Sequence, residues 1–138
     1  MQLEIIYGDN DILAIDKPAG IVVFPEGKTN GKTLIDYILE KYPELKGVGE
    51  PPRYGIVHRL DKDTSGIILT AKNSEALFFL QKQFSASALW AATDKKNSPL
   101  EKNLKKRYIA LVVGDVKNES GVIETLIGRS KKDGKKQK

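Results

Sequence analysis

The chain has 138 residues, no cysteine, a formal net charge of +5 and a sequence pI of about 9.3. Its length suits one domain, which would bury roughly two thirds of the surface that the unfolded chain exposes. The composition excludes a disulfide scaffold and a thiolate site, and the longest apolar stretches are too short for a membrane span.

The charge and the first residues indicate the setting in which the protein works. The N-terminus lacks the charged region and long apolar run of a signal peptide, so we expect a cytoplasmic protein without membrane association. The positive charge favours a polyanionic partner. Much of it lies in residues 129–138, where a solvated tail and a segment that follows a phosphate backbone are both open interpretations.

In chain order, the sequence predicts short strands and two helices. Apolar runs of strand length occur at residues 3–7, 12–16, 55–57, 66–70, 108–113 and 122–126. A first helix is predicted over residues 34–41, since Thr33 can cap it, Asp36 is in its first turn and Pro43 stops it. A second is predicted over residues 75–84, with Ser74 as its cap. We therefore predict an α+β fold, a mostly antiparallel sheet with both helices on one face.

The most informative segment is residues 57–66, Val-His-Arg-Leu-Asp-Lys-Asp-Thr-Ser-Gly, between two apolar runs. Loops held by rigid strands often carry chemistry. Asp63 and the following Thr-Ser-Gly can be explained as turn residues. Turn geometry leaves Arg59 and Asp61 unexplained.

Three kinds of site compete for this loop. A calcium loop would use Asp61, Asp63 and Ser65, but Lys72 stands where the pattern needs a bidentate Glu. A phosphoaspartate enzyme would use the two Asp residues, but it needs an apolar strand directly before the first one, and His58 and Arg59 interrupt that strand. An aspartate nucleophile that acts on carbon beside a cation fits the residues.

The loop resembles the signature of the RluA-type pseudouridine synthases, His-Arg-Leu-Asp, two variable residues and Thr-Ser-Gly. Residues 11–23 resemble the opening hairpin of that family, with its Lys-Pro-x-Gly turn, and residues 106–114 resemble its Lys-x-Tyr-x-Ala-x-Val-x-Gly strand. The resemblance implies an RNA uridine isomerase that uses no metal and no organic cofactor, with ribosomal or transfer RNA as its partner.

The resemblance also implies roles for single residues. Asp61 is the expected nucleophile, and Arg59 fills the space that the target nucleotide vacates. Tyr108 is the second expected catalytic residue, since its ring lies against the flipped base and its hydroxyl is a candidate for proton transfer. The expected RNA-binding residues are Arg59, His58, Lys106 and Arg107. For His58, the only histidine, a structural hydrogen-bonded imidazole is the preferred interpretation over catalysis. Leu60 is expected to anchor the loop in the core, and Gly66 to adopt a conformation closed to other residues.

Two departures from the family pattern shape the remaining expectations. Residues 85–105 form a longer connection than the family commonly has, and we expect an insertion whose lysines and Trp90 contact RNA or form a mobile surface loop. The family's Thr-Gly-Arg-x-His-Gln-Ile-Arg segment does not occur in these residues. We therefore expect residues 1–138 to be a single domain, the N-terminal portion of a truncated catalytic domain. Three alternatives follow: the sequence is a fragment, it needs a second polypeptide that supplies the missing half, or it is a natural truncation that binds RNA as a catalytically silent module. A monomer is expected unless such a partner is needed.

Overall fold

The computed structural model describes residues 3–27, 29–90 and 104–124. The chain divides into two compact units, Met1–Lys106 and Arg107–Lys138. All helices and strands of the described residues lie in the first unit. No helix in these ranges is both long and apolar enough to cross a membrane.

A three-stranded antiparallel sheet is the centre of the first unit. Its strands are β1 (Glu4–Gly8), β2 (Ile12–Lys17) and β3 (Gly66–Ala71), in the spatial order β1-β2-β3. The turn between β1 and β2 is held by Asp9, whose Oδ1 accepts hydrogen bonds from the backbone N–H groups of Asp11 and Ile12 at 2.8 and 2.7 Å. The predicted α+β class, the antiparallel sheet and three of the six predicted strands are confirmed.

The predicted strand at residues 55–57 is reduced to a single bridge, between Ile56 and Thr70. The backbone of Gly55 has a φ of +86°, so the chain turns away instead of continuing along β3. The carbonyl of Gly55 still accepts a hydrogen bond from Ala71 N–H at 2.9 Å. A Cβ at position 55 would lie 2.4 Å from the Ala71 carbonyl oxygen, so only glycine lets the two backbone segments come this close.

The first helix, α1 (Leu34–Lys41), has the predicted bounds. The carboxylate of Asp36 accepts hydrogen bonds from the backbone N–H and the hydroxyl of Thr33 at 2.8 and 2.7 Å, and these bonds cap the N-terminus of the helix. A 3-10 turn at Pro43–Gly47 follows and buries Leu45. This helix packs its apolar stripe into the core, as its periodicity predicts.

The second helix, α2 (Ser74–Trp90), differs from its prediction at both ends. Its cap is Asn73 and not Ser74, because Asn73 Oδ1 accepts a hydrogen bond from Ala76 N–H at 2.8 Å. Asn73 also donates to the Asp11 side chain at 2.7 Å, which explains its preference for this position. The helix continues six residues past the predicted end at Phe84, so residues 85–90 of the expected insertion are helical and not a loop. Residues 91–103 lie outside the described residues.

One hydrophobic core joins the sheet, both helices and the loop that contains Asp61. Its buried members are Leu13, Ile15, Val23, Phe24, Leu34, Ile35, Ile38, Leu45, Val48, Ile56, Leu60, Ile68, Ala71 and Leu80. Leu60 is thus a core anchor, as predicted. The loop is fixed to the sheet by packing as well as by its ends.

The predicted strand at residues 108–113 is absent from the described part of the second unit, and residues 122–124 are also not in a strand. The apolar side chains of Ile109, Leu111 and Val113 are fully exposed. A strand needs a neighbour that pairs with its backbone, and apolar sequence alone does not supply one. Residues 125–126 and the basic tail, 129–138, lie outside the described residues, and the single-domain interpretation stays a prediction.

Candidate active site

The loop that carries Asp61 is tied to the end of β2 by Lys17. Lys17 is fully buried, and its ammonium donates hydrogen bonds to the carbonyl oxygens of Pro18 and Lys62 at 3.0 and 3.1 Å. The backbone N–H of Gly20 donates to the same Lys62 carbonyl at 2.8 Å. Two donors from the opening hairpin therefore hold the carbonyl oxygen of Lys62, the residue that follows Asp61.

Lys17 is a residue of the candidate site to which the sequence analysis assigned no role. Leu13, Ile15 and Lys17 alternate along β2, and all three are buried. The period-two pattern therefore places a lysine at an inward position, where an ionisable group is rare. That pattern is a signal in the sequence that could have identified it.

The surroundings of Lys17 act on its charge in opposite directions. Burial lowers the pKa of its ammonium, while the nearby carboxylates of Asp63 and Asp61 raise it by smaller amounts. The two carbonyl oxygens supply hydrogen bonds that stabilise the buried cation. A cation thus lies beneath a loop whose exposed side carries two carboxylates.

Asp61 presents its carboxylate to solvent. Its side chain is 89% exposed, and Arg59 Nη2 lies 3.9 Å from Asp61 Oδ1. The backbone carbonyl of Asp61 accepts a hydrogen bond from Thr64 N–H at 3.2 Å, which closes the turn. Gly66, with a φ of +134°, then leads the chain into β3, as predicted for a glycine. The backbone is fixed while the carboxylate remains accessible to a ligand.

Arg59 is held on the same exposed surface. It forms an ion pair with Glu26, and its guanidinium lies 6.0 Å from the centre of the Phe24 ring, within the range of a cation–π contact. Its side chain is 44% exposed. Arg59 and Asp61, predicted as neighbours in one site, both present their charged groups on this surface, 3.9 Å apart.

His58 lies beside β3, and its side chain is partly buried. Its Nε2 accepts a hydrogen bond from the backbone N–H of Leu69 at 3.0 Å, and its ring stacks on Phe84 at 4.5 Å. Burial, with a smaller effect from the Lys106 charge, lowers the pKa of His58 to about 4. The imidazole is therefore neutral near pH 7, with its proton on Nδ1. These contacts support the structural interpretation, and its RNA-binding role stays a prediction.

Lys106 belongs to the first unit, where its ammonium lies 5.0 Å from the centre of the Phe84 ring. A groove of about 720 Å³ beside this stack is lined by Arg53, His58, Phe84 and Lys106 among others, but not by Asp61. Arg107 and Tyr108 belong to the second unit, where both are exposed, Tyr108 by 66%. Of the predicted site residues, the first unit thus contains Asp61, Arg59, His58 and Lys106.

The calcium interpretation finds no geometric support in the described residues. No group of three Asp, Glu or His side chains there could hold a metal ion. The segment after the loop is β3, whereas the calcium pattern requires a helix there. The site instead consists of the exposed Asp61 carboxylate beside the Arg59 guanidinium, on a loop that the buried Lys17 anchors.

A family model described as RNA pseudouridylate synthase matches residues 11–138, and so includes the Asp61 loop and the hairpin that anchors it. The chain belongs to the RNA pseudouridylate synthase family. The RluA-type resemblance of the loop is thereby confirmed.

Curated relatives with names from the same family are also similar to this chain. The chain is 40% identical to ribosomal large subunit pseudouridine synthase D of Pseudomonas aeruginosa over 94% of its own length. It is 39% identical to the protein of the same name from Nitrosomonas europaea over 92%, and 36% identical to the uncharacterized RNA pseudouridine synthase YlyB of Bacillus subtilis over 96%. The chain spans only 34%, 31% and 39% of these three relatives, respectively.

Proposed function

We propose that this chain is the part of an RNA pseudouridine synthase that carries the nucleophile, and that Asp61 is that nucleophile. The observation that carries the proposal is the exposed Asp61 carboxylate, 3.9 Å from Arg59, on a loop anchored by the buried Lys17. A reacting carboxylate must be accessible to substrate yet fixed in position, and this loop provides both.

The reaction rearranges one nucleotide without gaining or losing atoms overall. The bond from ribose C1′ to uracil N1 breaks, the base rotates, and a bond from C1′ to C5 forms. The C5 hydrogen leaves as a proton, and N1 takes up a proton. A carboxylate beside the ribose and base can act as nucleophile in the first step or as base in the last.

Arg59 is proposed to support this chemistry by occupying the space that the target nucleotide leaves. Extruding a nucleotide from its stack costs a few kcal/mol. A planar guanidinium can replace part of the lost stacking and can also contact phosphate. The cation–π distance of 6.0 Å to Phe24 indicates that Arg59 already lies against an aromatic ring in this structure. Tyr108 is proposed to lie against the flipped base.

Ribosomal RNA is the proposed substrate class. Two of the relatives are named as synthases of the ribosomal large subunit. The net charge of +5 favours a polyanion in general, and transfer RNA remains the second substrate to test.

The test measures tritium release from RNA labelled at uracil C5, because isomerisation expels that hydrogen. The full reading-frame product that contains these 138 residues is assayed as wild type, Asp61→Asn and Asp63→Asn. We expect release by wild type and Asp63→Asn, and none by Asp61→Asn. Equal release by Asp61→Asn would remove Asp61 from the mechanism. RNA binding without release by wild type would identify a catalytically silent RNA-binding module instead.

A further inference from the structure

Glu26 is an acidic residue at the candidate site with no role in the proposed reaction. Its carboxylate accepts a hydrogen bond from Arg59 Nη1, and both side chains are 44% exposed. The backbone around Glu26 is fixed by Thr29, whose hydroxyl accepts from Glu26 N–H at 2.9 Å and donates to the Glu26 carbonyl at 3.0 Å. The carboxylate that meets Arg59 thus comes from an organised turn 33 residues away in sequence.

Arg59 lies between two carboxylates that it contacts unequally. Glu26 is within hydrogen-bonding distance, whereas Asp61 is 3.9 Å away and its side chain is 89% exposed. The Arg59 guanidinium therefore makes its hydrogen bond with Glu26, and the Asp61 carboxylate stays at the longer distance of 3.9 Å from Arg59.

We propose that Glu26 is a positioning residue that holds Arg59 beside Asp61 in the protein without RNA, and that RNA displaces it from the guanidinium. The proposal rests on the proposed function, because that function assigns Arg59 to the RNA. A half-exposed ion pair is weak, so its exchange for an RNA phosphate costs little free energy. Arginine forms bidentate contacts with phosphate as readily as with carboxylate, which makes the two anions direct competitors.

The proposal predicts that Glu26 opposes RNA binding, and that it does so through Arg59. Glu26→Gln removes the competing charge but keeps the side-chain size. Glu40→Gln is the matched control, because Glu40, on α1, forms a similar exposed ion pair with Lys32. Its effect measures what the loss of any one negative charge does to RNA affinity.

The experiment is a double-mutant cycle in RNA affinity, measured by fluorescence anisotropy with a labelled uridine-containing stem-loop. It is run at low salt, where the remaining cations retain binding after Arg59→Gln. We expect Glu26→Gln to bind about two- to five-fold more tightly than Glu40→Gln, the factor that corresponds to the loss of a weak ion pair. In the Arg59→Gln background, the two substitutions should have equal effects.

Two results would overturn the proposal. Equal affinities of Glu26→Gln and Glu40→Gln would show that Glu26 acts only as a general negative charge. An undiminished advantage of Glu26→Gln in the Arg59→Gln background would show that it does not act through Arg59. Circular dichroism of each variant verifies the fold. Because binding is measured apart from tritium release, failure of this proposal is distinguishable from failure of the isomerase assignment.

Discussion

The ammonium of Lys17 lies 3.1 Å from the carbonyl oxygen of Lys62, so the last residue of β2 holds the backbone of the residue that follows Asp61. This contact joins two of the segments that resemble the family, the opening hairpin and the Asp61 loop. The Lys-Pro-x-Gly turn and the aspartate loop thus form one structural unit, because Gly20 of the same turn donates to the same carbonyl.

We predict that Lys17→Met lowers the free energy of unfolding by about 1–3 kcal/mol, because the carbonyl oxygens of Pro18 and Lys62 each lose a charged donor at a partly buried site. Lys62→Met is the control, since the Lys62 side chain is exposed and only its backbone makes the contact. Urea denaturation followed by circular dichroism measures both variants. Equal stability of Lys17→Met and wild type would show that the contact does not stabilise the loop.

Stability should fall as the pH is lowered from 7.5 to 5.5, in part through His58. Its folded pKa is about 4, below the ordinary value of 6.5, so the unfolded chain takes up a proton in this range and the folded chain does not. The stability that the neutral His58 imidazole contributes is fully present above about pH 6.5 and decreases as the pH falls toward 4. Urea midpoints at the two pH values measure it.

His58→Gln is the matched variant for that pH dependence, because His58 is the only histidine in the chain. Glutamine does not titrate between these pH values, so the difference between the two midpoints should shrink. An unchanged difference in His58→Gln would assign the pH dependence to other groups.

Gly55→Ala should destabilise the protein more than Gly31→Ala. Both glycines have positive φ, +86° and +88°, so an added Cβ strains both backbones by about 1–2 kcal/mol. Only Gly55 adds a clash, since its Cβ would lie 2.4 Å from Ala71 O, while nothing lies within 4 Å of a Cβ at Gly31. Overpacking adds about 1–3 kcal/mol. Thermal unfolding of both variants tests this, and equal losses would contradict it.

Asp61→Asn should leave the unfolding free energy within about 0.5 kcal/mol of wild type, as expected for an exposed side chain. The adjacent Leu60→Ala should cost about 2–5 kcal/mol, because Leu60 is only 8% exposed and belongs to the core. Denaturation curves of the pair separate loss of chemistry from loss of fold. A large destabilisation by Asp61→Asn would mean that its carboxylate has a structural role.

The elements predicted most accurately are those specified by local chemistry. Helix α1 has its predicted bounds because Thr33, Asp36 and Pro43 act within a few residues of the backbone that they cap or stop. The cap of α2 was predicted one residue late, because Asn73 is selected by a contact with Asp11, 62 residues away. The apolar run at residues 108–113 predicted a strand, but strand formation depends on a pairing neighbour that no local pattern supplies.

By itself, the sequence determined the family to which the chain belongs and the segment in which its candidate site lies. Asp61, Arg59 and the flanking apolar runs are adjacent in the chain, so their order alone carried the resemblance to the RNA pseudouridylate synthase family. Tertiary structure decided which distant groups act on that site. Lys17 beneath the loop and Glu26 on Arg59 are 45 and 33 residues from their partners, and only the packing of the hairpin against the loop brings them into hydrogen-bonding distance.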